Sequence, residues 1–169
     1  MRDDSLLIPA ITVLAGFVGL VMWPFLATFI HELGHAVAAK LMGFTPTKFI
    51  VGYPDDEGDP LLAFRAFGCA VEWWPLPFGG ATLFHEPPKD PFKLLIITIA
   101  GPLMDLSVIV ACVLLWDHAF IRIGLFFIIM SQSLNFLCNL IPRSLPWDGL
   151  QVPNDSKVIL QLLAGKRPT

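Results

Sequence analysis

The sequence predicts a mainly α-helical membrane protein with three to four transmembrane helices and a small β-rich, membrane-associated loop between the first and second core helices. Its 169 residues are 55% hydrophobic and only 15% charged, and the mean hydropathy is +0.69. Soluble domains carry about 25% charged residues, and a chain of this length has too little interior to bury so much apolar surface. The net charge of −3 argues against a nucleic-acid partner, because no basic stripe is present to neutralise phosphates.

Three apolar segments are long enough to span a bilayer, which takes about 20 helical residues. We predict a single domain over 1–169, with a helical region at 6–42, a β-rich loop at 43–91, helices at 92–116 and 119–141, and a final segment at 142–165 that ends in a short amphipathic helix. A helix over 6–42 would be about 55 Å long, against a hydrocarbon core of about 30 Å. Pro24 is the natural position for a break, and the pattern fits either one kinked helix or two helices.

The loop at 43–91 has a different character from the helices around it. Residues 48–53 and 62–67 carry β-branched and aromatic side chains typical of short strands, and an acidic turn separates them. Trp73 and Trp74 are predicted to lie at the headgroup level, which amphipathic rings prefer.

The sequence His31-Glu32-Leu33-Gly34-His35 carries the chemistry of the chain. Histidines four residues apart lie on the same face of a helix, where two neutral imidazoles can bind one metal ion. Glu32 lies beside them and can take a proton from metal-bound water, as in the HExxH zinc hydrolases. Three ionisable side chains are costly in an apolar helix unless partners lie inside the bundle, so the pattern predicts a zinc site.

A catalytic zinc takes three protein ligands and a water, and two aspartates compete for the third position. Asp148 follows a proline-containing stretch and precedes Gly149, so an irregular backbone could turn its side chain inward. Asp105 lies in mid-span behind Gly101-Pro102, and it could equally be a buried aspartate that is hydrogen-bonded to a neighbouring helix. Spacing alone favours Asp148 only slightly.

Four polar residues interrupt the predicted helix at 119–141. They either line a path by which water reaches the metal or form hydrogen bonds between helices. These residues are Ser131, Gln132, Ser133 and Asn135.

Four motifs occur in an order that resembles the site-2 protease family of intramembrane zinc metalloproteases. They are HELGH at 31–35, PLPFGG at 75–80, AGPLMD at 100–105 and NLIP…DG at 139–149. The resemblance covers about 28–150, and the chain looks like a minimal core of the family without PDZ or CBS domains.

The resemblance implies a role for each matching residue. His31, His35 and Asp148 would be the zinc ligands and Glu32 the general base, while Asn139 and the loop residues Pro77, Phe78, Gly79 and Gly80 would bind substrate. Two positions depart from the family pattern. The interval from Asn139 to Asp148 is one residue longer than in the commonest version of the motif, and only one glycine follows Asp148. The second departure is Asp105, which stands where many members have asparagine.

The predicted function is hydrolysis of peptide bonds in membrane-anchored protein substrates, with Zn²⁺ as cofactor and Glu32 activating a zinc-bound water. The predicted location is a multi-pass integral protein of the lipid bilayer, in a prokaryotic cytoplasmic (inner) membrane. One alternative is an inactive, metal-binding membrane protein that acts as an interaction partner, although metal binding alone does not need Glu32. Another is a membrane zincin whose third ligand is a glutamate from a later helix, but no later apolar helix contains one.

Overall fold

The computed structural model describes residues 7–54, 58–66, 68–86, 88–117, 122–147 and 150–166. A long helix is followed by four strands, two further helices, a hairpin and a short helix. In chain order the elements are α1 (Leu7–Leu41), β1 (Pro46–Tyr53), β2 (Leu62–Ala66), β3 (Cys69–Trp73), β4 (Leu76–Phe84), α2 (Pro91–Leu114), α3 (Arg122–Leu140), β5 (Ser144–Trp147), β6 (Leu150–Pro153) and α4 (Asp155–Leu163).

Helix α1 is one continuous element of 35 residues that includes Pro24, so the first helical region is a single helix. Its small residues face α2. A Cβ at Gly34 would lie 2.5 Å from the main-chain oxygen of Ala100, and Ala38 and Ala39 form a buried cluster with Ile97. The absence of side-chain volume on this face lets α2 approach α1 closely, which places the motif at 31–35 against α2.

Among the described residues, three helices are long and apolar enough to cross a membrane: Gly16–Leu41 within α1, Pro91–Leu114 and Arg122–Leu140. They carry exposed apolar side chains, such as Phe17 at 63% and Leu114 at 78% exposure. This surface and these lengths are consistent with the predicted membrane protein.

A four-stranded mixed sheet lies between α1 and α2 in the chain, as predicted. The strand order is β2-β3-β1-β4, with β1 parallel to β3 and antiparallel to β4. Phe49, Val51 and Val71 form the buried side of the sheet, against which Phe29 and Leu33 of α1 pack. This packing holds β4, an edge strand, next to the middle of α1.

The two tryptophans at 73–74 pack within the protein. Trp74 is only 8% exposed, and the Trp73 ring stacks on Phe29 of α1 with centroids 5.9 Å apart and planes 7° apart. Their place at the headgroup level of a membrane stays a prediction.

The chain after α3 returns to the site through a hairpin and a short helix. Strands β5 and β6 pair antiparallel. Helix α4 begins after Asn154, whose side chain accepts a hydrogen bond from the Lys157 main-chain N–H, as an N-cap residue does. The first residue of this helix is Asp155.

Candidate metal centre

The two histidines of α1 lie side by side in the interior. His31 is 3% exposed and His35 is 7% exposed, and their Nε2 atoms are 3.2 Å apart. The spacing of four residues produces this approach because it places both rings on one face of the helix.

Each imidazole uses its Nδ1 atom in a hydrogen bond to a neighbouring acceptor. His31 Nδ1 lies 2.7 Å from Oδ2 of Asp105, and His35 Nδ1 lies 2.7 Å from the main-chain oxygen of Ile97. Both partners are acceptors on α2, so each Nδ1 carries the proton and donates. A neutral ring held in this way presents a lone pair at Nε2, the atom through which it can bind a metal ion, whereas a protonated ring donates a hydrogen bond from Nε2.

A carboxylate from α4 completes the group. Oδ2 of Asp155 is 2.9 Å from His31 Nε2 and 3.4 Å from His35 Nε2. Burial acts to raise the pKa of the Asp155 carboxyl, but the charges and hydrogen bonds of His35 and His31 outweigh it and hold this pKa well below its ordinary value. Asp148, the residue predicted as third ligand, lies outside the described residues, and its role stays a prediction.

The donor set fits a small divalent cation. Two ring nitrogens and a carboxylate oxygen are ligands that Zn²⁺ prefers, and tetrahedral bonds of about 2.0–2.1 Å place ligand atoms about 3.3 Å apart. The observed separations of 2.9, 3.2 and 3.4 Å bracket that value. Gly101 leaves the space open, since a Cβ there would lie 2.4 Å from His35 Nε2 and 2.8 Å from His31 Nε2.

Glu32, the residue predicted as general base, lies beside this group. It is 6% exposed, and its carboxylate lies within 4.8 Å of ligand atoms of both His31 and His35. The Thr82 hydroxyl is 2.8 Å from Oε2 of Glu32 and 3.2 Å from its main-chain oxygen. Gly80, two residues earlier on the same face of β4, lacks a Cβ that would otherwise lie 2.8 Å from Cγ of Glu32. The edge strand thus contacts Glu32 directly.

Asp105 lies on the far side of His31 from the point where the Nε2 atoms meet. It is completely buried and accepts hydrogen bonds from Gln132 and Asn135 of α3. Two of the four polar residues on α3 therefore form hydrogen bonds between helices. Sequence reasoning left Asp105 as either a ligand or a hydrogen-bonded buried residue, and the structure shows the hydrogen bonds.

A cavity of about 1070 Å³ opens onto His31, Glu32 and His35. Its walls come from β4, α3, α4 and the adjoining segments. Among the predicted substrate-binding residues, Gly79, Gly80 and Asn139 line this cavity, and Pro77 and Phe78 lie on β4. On the other wall, Ser131 and Asn135 give the cavity a polar surface.

Asn154 and Asp155 are functional candidates that sequence reasoning did not single out. Asn154 Nδ2 donates to the main-chain oxygens of Ile141, at 2.8 Å, and Asn139, at 3.4 Å, and its Oδ1 accepts from the Arg143 N–H at 3.0 Å. These contacts fasten the start of α4 to the end of α3. The available signal was the N-cap asparagine followed by an acidic residue at the start of the predicted amphipathic helix.

Comparisons with known proteins agree with this geometry. Residues 20–121 match the peptidase family described as Peptidase family M50. Over 146 residues, or 82% of this chain, the sequence is 26% identical to the protein named "Putative zinc metalloprotease slr1821" from Synechocystis sp. (strain ATCC 27184 / PCC 6803 / Kazusa). The match spans 35% of that relative's length. The chain belongs to peptidase family M50, which confirms the resemblance to site-2 proteases that its motifs indicate.

Proposed function

We propose that this protein is an intramembrane zinc metalloprotease that hydrolyses peptide bonds of membrane-anchored protein substrates. The observation that carries the proposal is the convergence of two imidazole Nε2 atoms and the Asp155 carboxylate beside the buried Glu32. Glu32 lines the cavity but is not one of the proposed metal ligands. Metal binding alone does not need such an acidic residue, whereas hydrolysis needs it as a base.

The metal ligands in this proposal are His31, His35 and Asp155. Asp155 takes the place of Asp148, which the family resemblance predicts as the third ligand and which lies outside the described residues. A bound Zn²⁺ would polarise the scissile carbonyl and lower the pKa of water in the site toward about 7. The hydrogen bonds from Nδ1 to Asp105 and to the Ile97 carbonyl keep both rings in the tautomer that such a metal requires.

Glu32 would move the proton during the reaction. Its carboxylate takes a proton from water and later delivers it to the leaving amine. The Thr82 hydroxyl holds one carboxylate oxygen at 2.8 Å, which leaves the other oxygen to accept the proton. Glu32 is only 6% exposed, so the residues packed around it limit the orientations that its carboxylate can take.

The edge strand β4 is the proposed substrate-binding element. A helical substrate hides its peptide bonds, so it must unwind locally before hydrolysis. One edge of β4 pairs with β1, and β4 stands at the end of the strand order, so an extended segment can add to its other edge through main-chain hydrogen bonds. Asn139, on the α3 wall of the cavity, is proposed to hold the backbone of the same segment.

The proposed setting is the bilayer of a prokaryotic cytoplasmic membrane, which the protein crosses several times with the sheet associated with the membrane. The three apolar helices support the crossing. Water would reach the site through the cavity, whose walls include Ser131 and Asn135.

The proposal is tested with the Glu32→Gln variant in detergent-purified protein, measuring zinc content by elemental analysis and cleavage of a membrane-anchored reporter substrate. We expect about one zinc per chain in both proteins and cleavage only in the wild type, because Gln keeps the shape of Glu32 but cannot accept the proton. Equal cleavage by the variant would refute the role of Glu32. Bound zinc in the wild type, with no cleavage of a panel of single-span reporter substrates, would favour an inactive metal-binding partner.

A further inference from the structure

Asp105 is the most deeply buried ionisable group in the described part of the chain, with 0% exposure. It lies within the apolar helix Pro91–Leu114. An isolated carboxylate at such a position costs several kcal/mol. A buried charge of this kind therefore needs compensating partners and a reason to be present.

The partners of Asp105 are all hydrogen-bond donors. Gln132 Nε2 lies 2.8 Å from Oδ1, Asn135 Nδ2 lies 3.2 Å from Oδ2, and His31 Nδ1 lies 2.7 Å from Oδ2. The shortest of these contacts is with His31. The carboxylate therefore connects α3, through two amides, to a proposed metal ligand on α1.

The Gln132 amide indicates the direction of these hydrogen bonds. Its Oε1 is buried and has no hydrogen-bond partner among the described residues, although a buried amide oxygen without a partner is unfavourable. Gln132 nevertheless directs its NH₂ group toward Asp105. This orientation gives the Asp105 carboxylate a hydrogen-bond donor and leaves Oε1 of Gln132 without a donor of its own. Asn135 supplies a second donor to the same carboxylate.

We infer that Asp105 is a positioning residue for the metal centre, which orients the His31 ring and holds its proton on Nδ1 so that Nε2 is free to bind the metal. The inference rests on the proposed function. Carboxylates that accept a hydrogen bond from a ligating histidine strengthen metal binding by about 10–100-fold in other metal sites. His35 obtains the same orientation from a main-chain carbonyl, so Asp105 is the part of this arrangement that a side-chain substitution can remove.

The test is the dissociation constant for Zn²⁺, measured by competition with a chromophoric chelator, for the wild type and the Asp105→Ala, Asp105→Asn and Cys112→Ala variants. Cys112→Ala is the matched control, because it truncates another buried side chain on α2, whereas the hydrogen bonds of the two histidines go to other residues. We expect Asp105→Ala to weaken zinc binding by about 10–100-fold and Cys112→Ala to leave it within about threefold. In Asp105→Asn, a rotated Gln132 amide can accept from the new NH₂ group while the Asn oxygen still accepts from His31, so we expect a loss smaller than that of Asp105→Ala.

Three results would overturn the inference. Unchanged zinc affinity in folded Asp105→Ala, with tight binding by the wild type, would refute the role of Asp105 and leave the proposed function intact. An absence of zinc binding by the wild type and by Cys112→Ala would instead refute the proposed metal site and the inference with it. If Asp105→Ala does not fold, the visible absorption spectrum of Co²⁺-loaded Asp105→Asn is compared with that of the wild type. We expect the absorption bands to shift, because an amide is a weaker acceptor for the His31 proton. An unchanged spectrum contradicts the inference.

Discussion

Gly101 provides the sharpest steric test of the metal centre. A methyl group at this position would lie 2.4 Å from His35 Nε2 and 2.8 Å from His31 Nε2. Both distances are far shorter than a carbon–nitrogen contact, so Gly101→Ala must push the two rings away from the space where their lone pairs meet. We expect the variant to fold but to bind zinc much more weakly than the wild type.

The magnitude follows from the hydrogen bonds that the rings must give up when they turn. His31 donates to the Asp105 carboxylate and His35 to the Ile97 carbonyl, each at 2.7 Å. A hydrogen bond to a charged group contributes about 1.5–3 kcal/mol and a neutral one about 0.5–1.5 kcal/mol. Losing both costs about 2–4.5 kcal/mol, which corresponds to a dissociation constant raised roughly 30–2,000-fold.

The assay is zinc affinity by chelator competition, with two glycine variants as controls. Gly124→Ala on α3 adds a Cβ that meets no described atom within 4 Å, and it tests the effect of alanine in a helix. Gly34→Ala adds a Cβ 2.5 Å from the Ala100 main-chain oxygen, and it tests crowding between α1 and α2 at the residue before His35. Wild-type zinc affinity in Gly101→Ala would refute the placement of the metal between these rings.

Two further perturbations separate the base from the ligands. Thr82→Val should reduce kcat on the order of 10–100-fold with zinc content unchanged, because Glu32 loses a charge-assisted hydrogen bond of about 1.5–3 kcal/mol. The control variant Thr82→Ser keeps the hydroxyl and should retain most activity. An equal kcat for Thr82→Val and the wild type would contradict this role of Thr82. Asn154→Ala should lower the free energy of unfolding by about 1 kcal/mol through loss of the helix cap and also weaken zinc binding, since it frees Asp155 from α3. Denaturation and chelator competition measure the two effects, and a stability loss without any change in zinc affinity would show that Asn154 does not position the ligand.

The helices were predictable because a membrane span requires a long, nearly uncharged run of apolar residues, which is easily seen in a sequence. Long apolar segments with few charges are typical of membrane spans, and the helices α2 and α3 match the segments predicted at 92–116 and 119–141 to within three residues at each end. The strand β3 (Cys69–Trp73) was not predicted, and of its residues only Trp73 was given a place, at the headgroup level. Local composition does not reveal that the Trp73 ring packs on Phe29 of a helix 44 residues earlier.

The site was predictable where the residues are close in sequence and not where they are distant. His31, Glu32 and His35 are neighbours on one helix, so helical geometry alone groups them. Asp155 reaches them only because a hairpin and the Asn154 contacts turn α4 back toward α1. The spacing of residues in the sequence does not predict this change of chain direction. The function of Thr82 depends on β4 packing against α1, which is also a tertiary property.

The most direct test of the central claim is the zinc stoichiometry of purified Asp155→Ala and Asp148→Ala proteins, measured by elemental analysis beside the wild type. The Asp155 carboxylate lies 2.9 Å from His31 Nε2, so its removal leaves two protein ligands where a catalytic zinc site takes three. We predict about one zinc per chain in the wild type and in Asp148→Ala, and little zinc in Asp155→Ala. Full zinc content in Asp155→Ala, with loss in Asp148→Ala, would contradict the ligand assignment.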